Sequence, residues 1–461
     1  MASKYELVNG LVPKEAHLAD AGFHTLPNHW SVVEVGELLT DERGISVGVM
    51  YPGNHDPLGI PLIKVGDLMG SVINPSPEFR ITPEKHYEYR RTELEGGEIL
   101  LTLVGAVGQC AIVPKSMAGW NAARAVAVIR LKNPEDAKFV RLCLLSQPLQ
   151  HLMQVWSNTT VQTTLNLKEI RQLPLPWPPK EEREEIAHII GTLDDKIELN
   201  QQINRTLEGI ARALFKSWFI DFDPVRAKLD GRQPAGMDAE TADLFPAEFE
   251  DSATGQIPKG WKLGVLKDIA ENSKRTIRPE QIPEGTPYIG LEHMPKRSIA
   301  LFDWGLSDNL ESNKFQFRQG EILFGKLRPY FHKVGVAIQN GVCSTDILVI
   351  VPRYSECFSL VLAYVSSDEF VDYTNMASDG TRMPRTSWQV MGQYPVIIPS
   401  FEIEKAFNEE ISTIVQSIRS HIFQSKTLAS IRNALLPKLM SGEIKFSLTL
   451  DLPAEVERAY A

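Results

Sequence analysis

Two stretches of the chain share one layout at an offset of 221 residues. "PLPWPPKEEREEIAHIIGTLDDKI" begins at Pro174 and "PVIIPSFEIEKAFNEEISTIVQSI" at Pro395. Each is a Pro-bracketed apolar strand, then an acidic patch, then apolar residues at helical spacing. Few residues are identical, but the prolines, the length and the phase agree over more than 40 positions, from Gln172/Gln393 to Leu214/Leu435. Such a chain must fold one module twice. The repeat continues upstream with small shifts. "LPNHWSVVEVGELL" at Leu26 answers "IPKGWKLGVLKDIA" at Ile257, "GIPLIKVGDL" at Gly59 answers "GTPYIGLEHM" at Gly285, and "GGEILLTLVG" at Gly96 answers "QGEILFGKLR" at Gln319. Each unit therefore has a Trp-bearing opening segment, short β-rich runs, a Pro-flanked strand and one long helix. Two copies are too few, and each is too large, for a solenoid.

The helices carry a seam. Its first line is Ile186, Ile190, Leu193 and Ile197, then Leu207, Ile210 and Leu214; its second is Phe407, Ile411, Ile414 and Ile418, then Leu428, Ile431 and Leu435. Steps of three and four predict a coiled coil, and the step of ten in each line reads as a heptad plus three, a local overwinding. Each helix spans roughly 50 Å. Ser400 suits the N-cap of the second, with Glu402 and Glu404 in its positive first turn and Gly442 at its C-terminal stop. Antiparallel pairing would put the two globular blocks at opposite ends of a rod.

The chain of 461 residues has room for two or three cores. No run reaches the roughly 18 apolar residues of a membrane span. "MASKYELVNG" lacks a signal-peptide core, and the four cysteines form no CxxC pair. These features predict a cytoplasmic protein without membrane contact. The net charge of −10 argues against nucleic acid only when taken whole. Residues 180–255 hold 9 basic against 17 acidic side chains, while 1–179 and 256–400 are nearly neutral. Fields act over about a Debye length, so a neutral block can carry a basic face.

Catalytic signatures are missing. "GEILFGKLRPYFHK" from Gly320 contains GxxxxGK, but Leu327 follows Lys326 where a phosphate loop needs Ser or Thr. No HExxH, GxGxxG or methyltransferase motif occurs, so neither a metal nor a cofactor is expected. That same stretch offers Lys326, Arg328, Tyr330, His332 and Lys333 alternating along what reads as an extended run, able to present several on one side. Basic forks with an interleaved aromatic suit phosphate oxygens and guanine edges. "SDGTRMPRTSW" adds Arg382 and Arg385, and "NSKRTIRPE" adds Lys274 and Arg275. The first block offers Arg90 and Arg91 with the neutral Gln109, Asn121, Thr160 and Thr163, which suit hydrogen bonding to base edges.

The duplicated block-plus-helix plan, "LFKSWFIDFDPVRAK", "GMDAETADLFP", "IPKGW", "GKLRPY" and the closing "LLPKLMSGEI" together resemble the DNA-specificity subunit of type I restriction-modification systems. The resemblance implies an α/β (α+β) fold with a pseudo-two-fold internal repeat. Its parts are a target-recognition domain at 1–178, a spacer helix at 179–220, a connector at 221–256, a second recognition domain at 257–399, and a second spacer helix with tail at 400–461. Each domain would read one half of a bipartite asymmetric site in double-stranded DNA. The antiparallel helices would set the spacer and dock two methyltransferase subunits. S-adenosylmethionine, ATP and Mg would belong to those partners and to the restriction/translocase subunits. The first block has no sequence match for Lys326–Arg328, so contacts do not transfer to it by position. The alternative is a non-catalytic coiled-coil scaffold with two protein- or glycan-binding ends, which leaves the connector phrases unexplained.

Overall fold

The spacing of apolar side chains and the acid after Pro179 do form two long helices, Lys180–Phe215 and Phe401–Met440. The computed structural model describes residues 13–23, 26–70, 72–157, 164–253, 255–308, 310–378 and 383–444. Its chain divides into two compact units, Met1–Glu198 with Thr427–Ala461, and Leu199–Lys426. Each unit holds part of both long helices.

In the first unit the opening strand Ser31–Glu34 pairs antiparallel with Pro174–Trp177. A four-stranded antiparallel sheet follows, in the order Ile45–Val47, Val126–Ile129, Ile99–Thr102, Cys110–Ile112. Beside it Ile60–Ile63 pairs parallel with Asn121–Ala122. The main core joins the sheet to the helices Ala137–Leu145 and Gln147–Ser157 and to Ile186, Ile190, Leu436, Leu439 and Met440 of the long helices. Trp30 donates its indole N–H to Glu182 (2.9 Å), tying the opening segment to the first turn of the long helix.

The second unit repeats these pairings with other residues. Lys262–Val265 pairs antiparallel with Pro395–Ile398. Its four-stranded sheet runs Ala270–Ser273, Ile347–Pro352, Ile322–Gly325, Val334–Val336, also antiparallel. Pro287–Ile289 pairs parallel with Gly341–Cys343. Phe215, Trp218, Phe219, Phe245 and Trp261 pack with Phe407 in one aromatic core. The first long helix ends there in a π turn, Lys216–Ile220, and Phe222 then takes a left-handed φ of 56°.

Within each unit the long helices run antiparallel. In the second, Asn200 donates to Gln424 Oε1 (2.8 Å), His421 meets Asn204 (2.8 Å), and Phe215 lies against Phe407. In the first, Asp194 sits between Arg141 and Arg432, each at 2.8 Å. These polar residues correct the expected overwinding. Asn200 and Asn204 are buried inside the step of ten, so the stripe runs from Ile197 through them to Leu207 without a break. Only its chemistry changes, from apolar to polar. Ile210 and Ile431, expected on the seam, are instead 46% and 44% exposed. The inward places near Ile210 belong to Glu208 and Ala211, because a 3.6-residue turn carries the stripe past it. Gly442 takes the expected left-handed φ of 71° after the second helix.

Candidate nucleic-acid interface

Strand direction decides which candidates meet. In the second unit Ala270–Ser273 and Ile322–Gly325 both run antiparallel to Ile347–Pro352, so both end where that strand begins. Lys274 leaves the first of them and Lys326 the second, while Asp346 immediately precedes the third. Arg385 reaches the same end through a bridge to Leu327. The Lys326 amide donates to the Asp346 carbonyl (2.9 Å), and the Thr386 amide to the Lys326 carbonyl (3.0 Å). The Asp346 carboxylate lies 4.0 Å from Lys326 Nζ and 3.6 Å from Arg385 Nη2. Four chain segments thus converge on one sheet end, and three of them bring a cation.

The run from Lys326 to Lys333 is not extended, which corrects the expected alternation. Pro329–Phe331 forms a 3-10 turn between Arg328 and His332, both left-handed at φ 52° and 50°. A single turn sends its side chains in different directions. Tyr330 is 49% exposed, whereas His332 is buried, with Nε2 2.9 Å from the Ser366 carbonyl. Burial holds the His332 imidazole below its ordinary range. Lys333 turns inward and donates to the Leu291 carbonyl (2.5 Å), and burial lowers its pKa as well. Arg275 is committed within the unit, to the Glu321 carboxylate and the Gln316 carbonyl. The GxxxxGK resemblance also fails structurally. Its middle, Ile322–Gly325, is a buried strand paired on both sides, so its amides cannot cradle a phosphate.

The first unit builds the same end on the same backbone bonds. The Leu103 amide donates to the Ala125 carbonyl (2.8 Å), the Leu165 amide to the Leu103 carbonyl (3.0 Å), and Val104 bridges Thr164. Leu103, Ala125 and Thr164 therefore stand where Lys326, Asp346 and Arg385 stand. The Thr102 amide donates to the Gln109 carbonyl (2.9 Å), as the Gly325 amide does to the Lys333 carbonyl (2.9 Å), so Gln109 and Lys333 hold equivalent places. Gln109 carries a buried Oε1 with no hydrogen-bond partner. Asn121 is a correction: it is fully buried, accepting from Thr92 Oγ1 (2.7 Å) and donating to the Tyr89 carbonyl (3.2 Å). Arg90 and Arg91 border a cleft of about 460 Å³ with Gly48 and Met50, which follow the edge strand at this same end. Arg382, Thr160 and Thr163 lie outside the described residues.

Sequence reasoning missed Asp346, since an acid within a basic constellation carries no motif. The paired stretches at Gly96 and Gln319 already align Gly105 with Arg328, but only the structure shows that both are left-handed. Among the described residues no group of three His, Cys, Asp or Glu side chains is placed to hold a metal, and no helix is long and apolar enough to cross a membrane. The four cysteines are buried, with Cys110 and Cys343 each pushed up to about 12 by desolvation.

Residues 27–209 match the family described as the type I restriction modification DNA specificity domain. The type I restriction enzyme HindI specificity subunit of Haemophilus influenzae is 29% identical over 336 residues, 62% of this chain and 72% of that protein. The MjaIX specificity subunit of Methanocaldococcus jannaschii is 23% identical over 366 residues, 76% of this chain and 78% of that one. In fold, the chain is similar to the S subunit of a type I restriction-modification system from M. genitalium, with a TM-score of 0.51 at 15% identity, covering 90% of this chain and 98% of that one. The chain thus carries a type I restriction modification DNA specificity domain at residues 27–209 and is similar over most of its length to type I restriction enzyme specificity subunits.

Proposed function

We propose that the chain is a non-catalytic reader of a bipartite asymmetric site in double-stranded DNA. Each unit contains one target-recognition domain, and the units form a pseudo-two-fold repeat. The observation that carries this reading is the shared frame at the two sheet ends, filled with Lys326, Asp346 and Arg385 in one unit and Leu103, Ala125 and Thr164 in the other. One frame with two side-chain sets suits two dissimilar half-sites. Lys274, Lys326, Arg328, Tyr330, Arg382 and Arg385 are the candidates for one half; Gln109, Thr160, Thr163, Arg90 and Arg91 are those for the other. The long helices, paired as a coiled coil, set the spacer and dock two methyltransferase subunits. S-adenosylmethionine, ATP and Mg chemistry falls to those partners and to the restriction/translocase subunits.

The test uses the complex assembled with its modification subunits and a duplex library with two randomised half-sites. Arg385→Ala should weaken binding by about 1–3 kcal/mol and relax one half-site only. Binding should fall with salt at roughly −0.9 in log–log slope per phosphate neutralised. A flat salt dependence, or equal relaxation of both halves, would overturn the reading.

A further inference from the structure

We propose that Asp346 is a positioning residue that holds Lys326 and Arg385 as a pair and restrains them from gripping DNA of any sequence. This rests on reading the sheet end as a DNA face. The three side chains come from three segments fixed by backbone bonds, so their proximity is built in rather than incidental. Asp346 is itself held, its amide donating to Ser344 Oγ (3.2 Å) and its carbonyl accepting from the Lys326 amide (2.9 Å). Its contacts of 4.0 and 3.6 Å are longer than the roughly 2.7–2.9 Å of a charge-assisted hydrogen bond, so both cations keep donors free.

The fold does not need these charges. The first unit closes the same frame with Leu103, Ala125 and Thr164. Exposed ion pairs add little stability in any case. What a carboxylate between two cations does change is how they meet a duplex. It cancels one unit of positive charge, which lowers phosphate attraction that is blind to sequence. It also limits the directions in which two flexible donors point, which favours the one base edge that matches them. Asp346 thereby trades general affinity for discrimination.

The experiment compares wild type, Asp346→Asn, Asp346→Glu and Lys326→Ala in the assembled complex. The probes are the duplex that wild type selects from a randomised library and a random-sequence duplex of equal length. Asp346→Asn should bind the random duplex several-fold tighter, with a salt slope steeper by about one contact. Its preference for the selected duplex should drop about tenfold at the half-site of this unit, and Asp346→Glu should recover most of it. Thermal melting should be unchanged, which excludes misfolding as the cause. If Lys326→Ala weakens binding while Asp346→Asn leaves preference and slope alone, the positioning role is wrong and the DNA face stands. If neither substitution matters, the DNA face itself is wrong. Loss of a cytosine preference with no gain on random DNA would make Asp346 a direct base reader, which also overturns the proposal.

Discussion

Gly105 in the first unit and Arg328 in the second occupy one place in one backbone frame, and both are left-handed, at φ 77° and 52°. Glycine adopts that conformation without a Cβ clash; a non-glycine residue there costs about 1–3 kcal/mol. The adjoining pairs differ as sharply, Leu103 against Lys326 and Thr164 against Arg385. Backbone hydrogen bonds thus set the shape of the sheet end, and side chains are free to vary on it. In the second unit the variation reaches into strain, since the Arg328 amide is held by the Pro384 carbonyl (2.8 Å) and its Nε is buried without a partner. The first unit closes the same frame without that strain, so the fold does not require it.

If the two units are separate readers, moving them apart should have the largest effect. A heptad inserted at facing positions, after Asn200 and after Phe423, would preserve the register of Asn204 with His421. It adds about 10 Å of helix, equal to about 3 bp at roughly 3.4 Å each. The variant should lose the original site and select one with a longer spacer from a library of spacer lengths. A folded variant with full activity on the original spacer would end the ruler reading.

Core truncation tests independence next. Ile186 and Phe407 share a repeat position, and both are fully buried. Phe407 stacks edge-on to Phe219 at 4.8 Å and meets Trp218 at 5.6 Å. Phe407→Ala should cost about 3–5 kcal/mol and Ile186→Ala about 2–4, each lowering hydrogen-exchange protection chiefly in its own unit. Equal loss in both units from either substitution would mean that they do not fold as separate bodies.

Arg328→Gly sharpens the contrast directly, since it writes the first unit's solution into the second. Stability should hold or rise by up to about 1 kcal/mol as the strain is released. Binding at one half-site should fall by about 1–3 kcal/mol, read by competition with single-base variants. A loss of stability with binding intact would make Arg328 structural.

The smallest effect concerns Glu208, which is buried and accepts from Ser298 Oγ (2.7 Å) and the Ala300 amide (3.2 Å). Its repeat counterpart is Ala429, so the first unit offers no equivalent. Desolvation raises its pKa above 4.5, so the folded state holds the proton more tightly than the unfolded one. The stability this confers is complete below about pH 4.5 and is lost as pH rises through the raised value. Glu208→Gln should therefore stabilise the protein by about 0.5 kcal/mol at pH 7, with the gain fading toward pH 4.5 in denaturant titrations. A gain independent of pH would exclude the carboxylate as its source.

Much of this architecture is legible from residue order alone. Proline positions and apolar phase locate both Pro-flanked strands and both long helices, because a helix or strand must show one face to a core and period alone reveals it. The paired stretches at Gly96 and Gln319 set Gln109 against His332, and strand register moves the equivalence one residue on, to Lys333. The seam was legible only where it is apolar. Asn200 and Asn204 are buried by a partner 217 to 225 residues away. A periodicity built on hydrophobic letters passes over them.

The sequence by itself determined that one module is used twice, how long its helices are and which residue types could meet DNA, since periodicity, proline placement and side-chain chemistry are local properties. Only the tertiary structure decided which of those residues share a surface. Lys326, Asp346 and Arg385 are brought together by antiparallel register, Arg275 is taken out of play by Glu321, and Asn121 and His332 are turned inward. The physical reason is that burial and pairing depend on partners distant in the chain, and no local pattern encodes which partner a backbone bond will deliver.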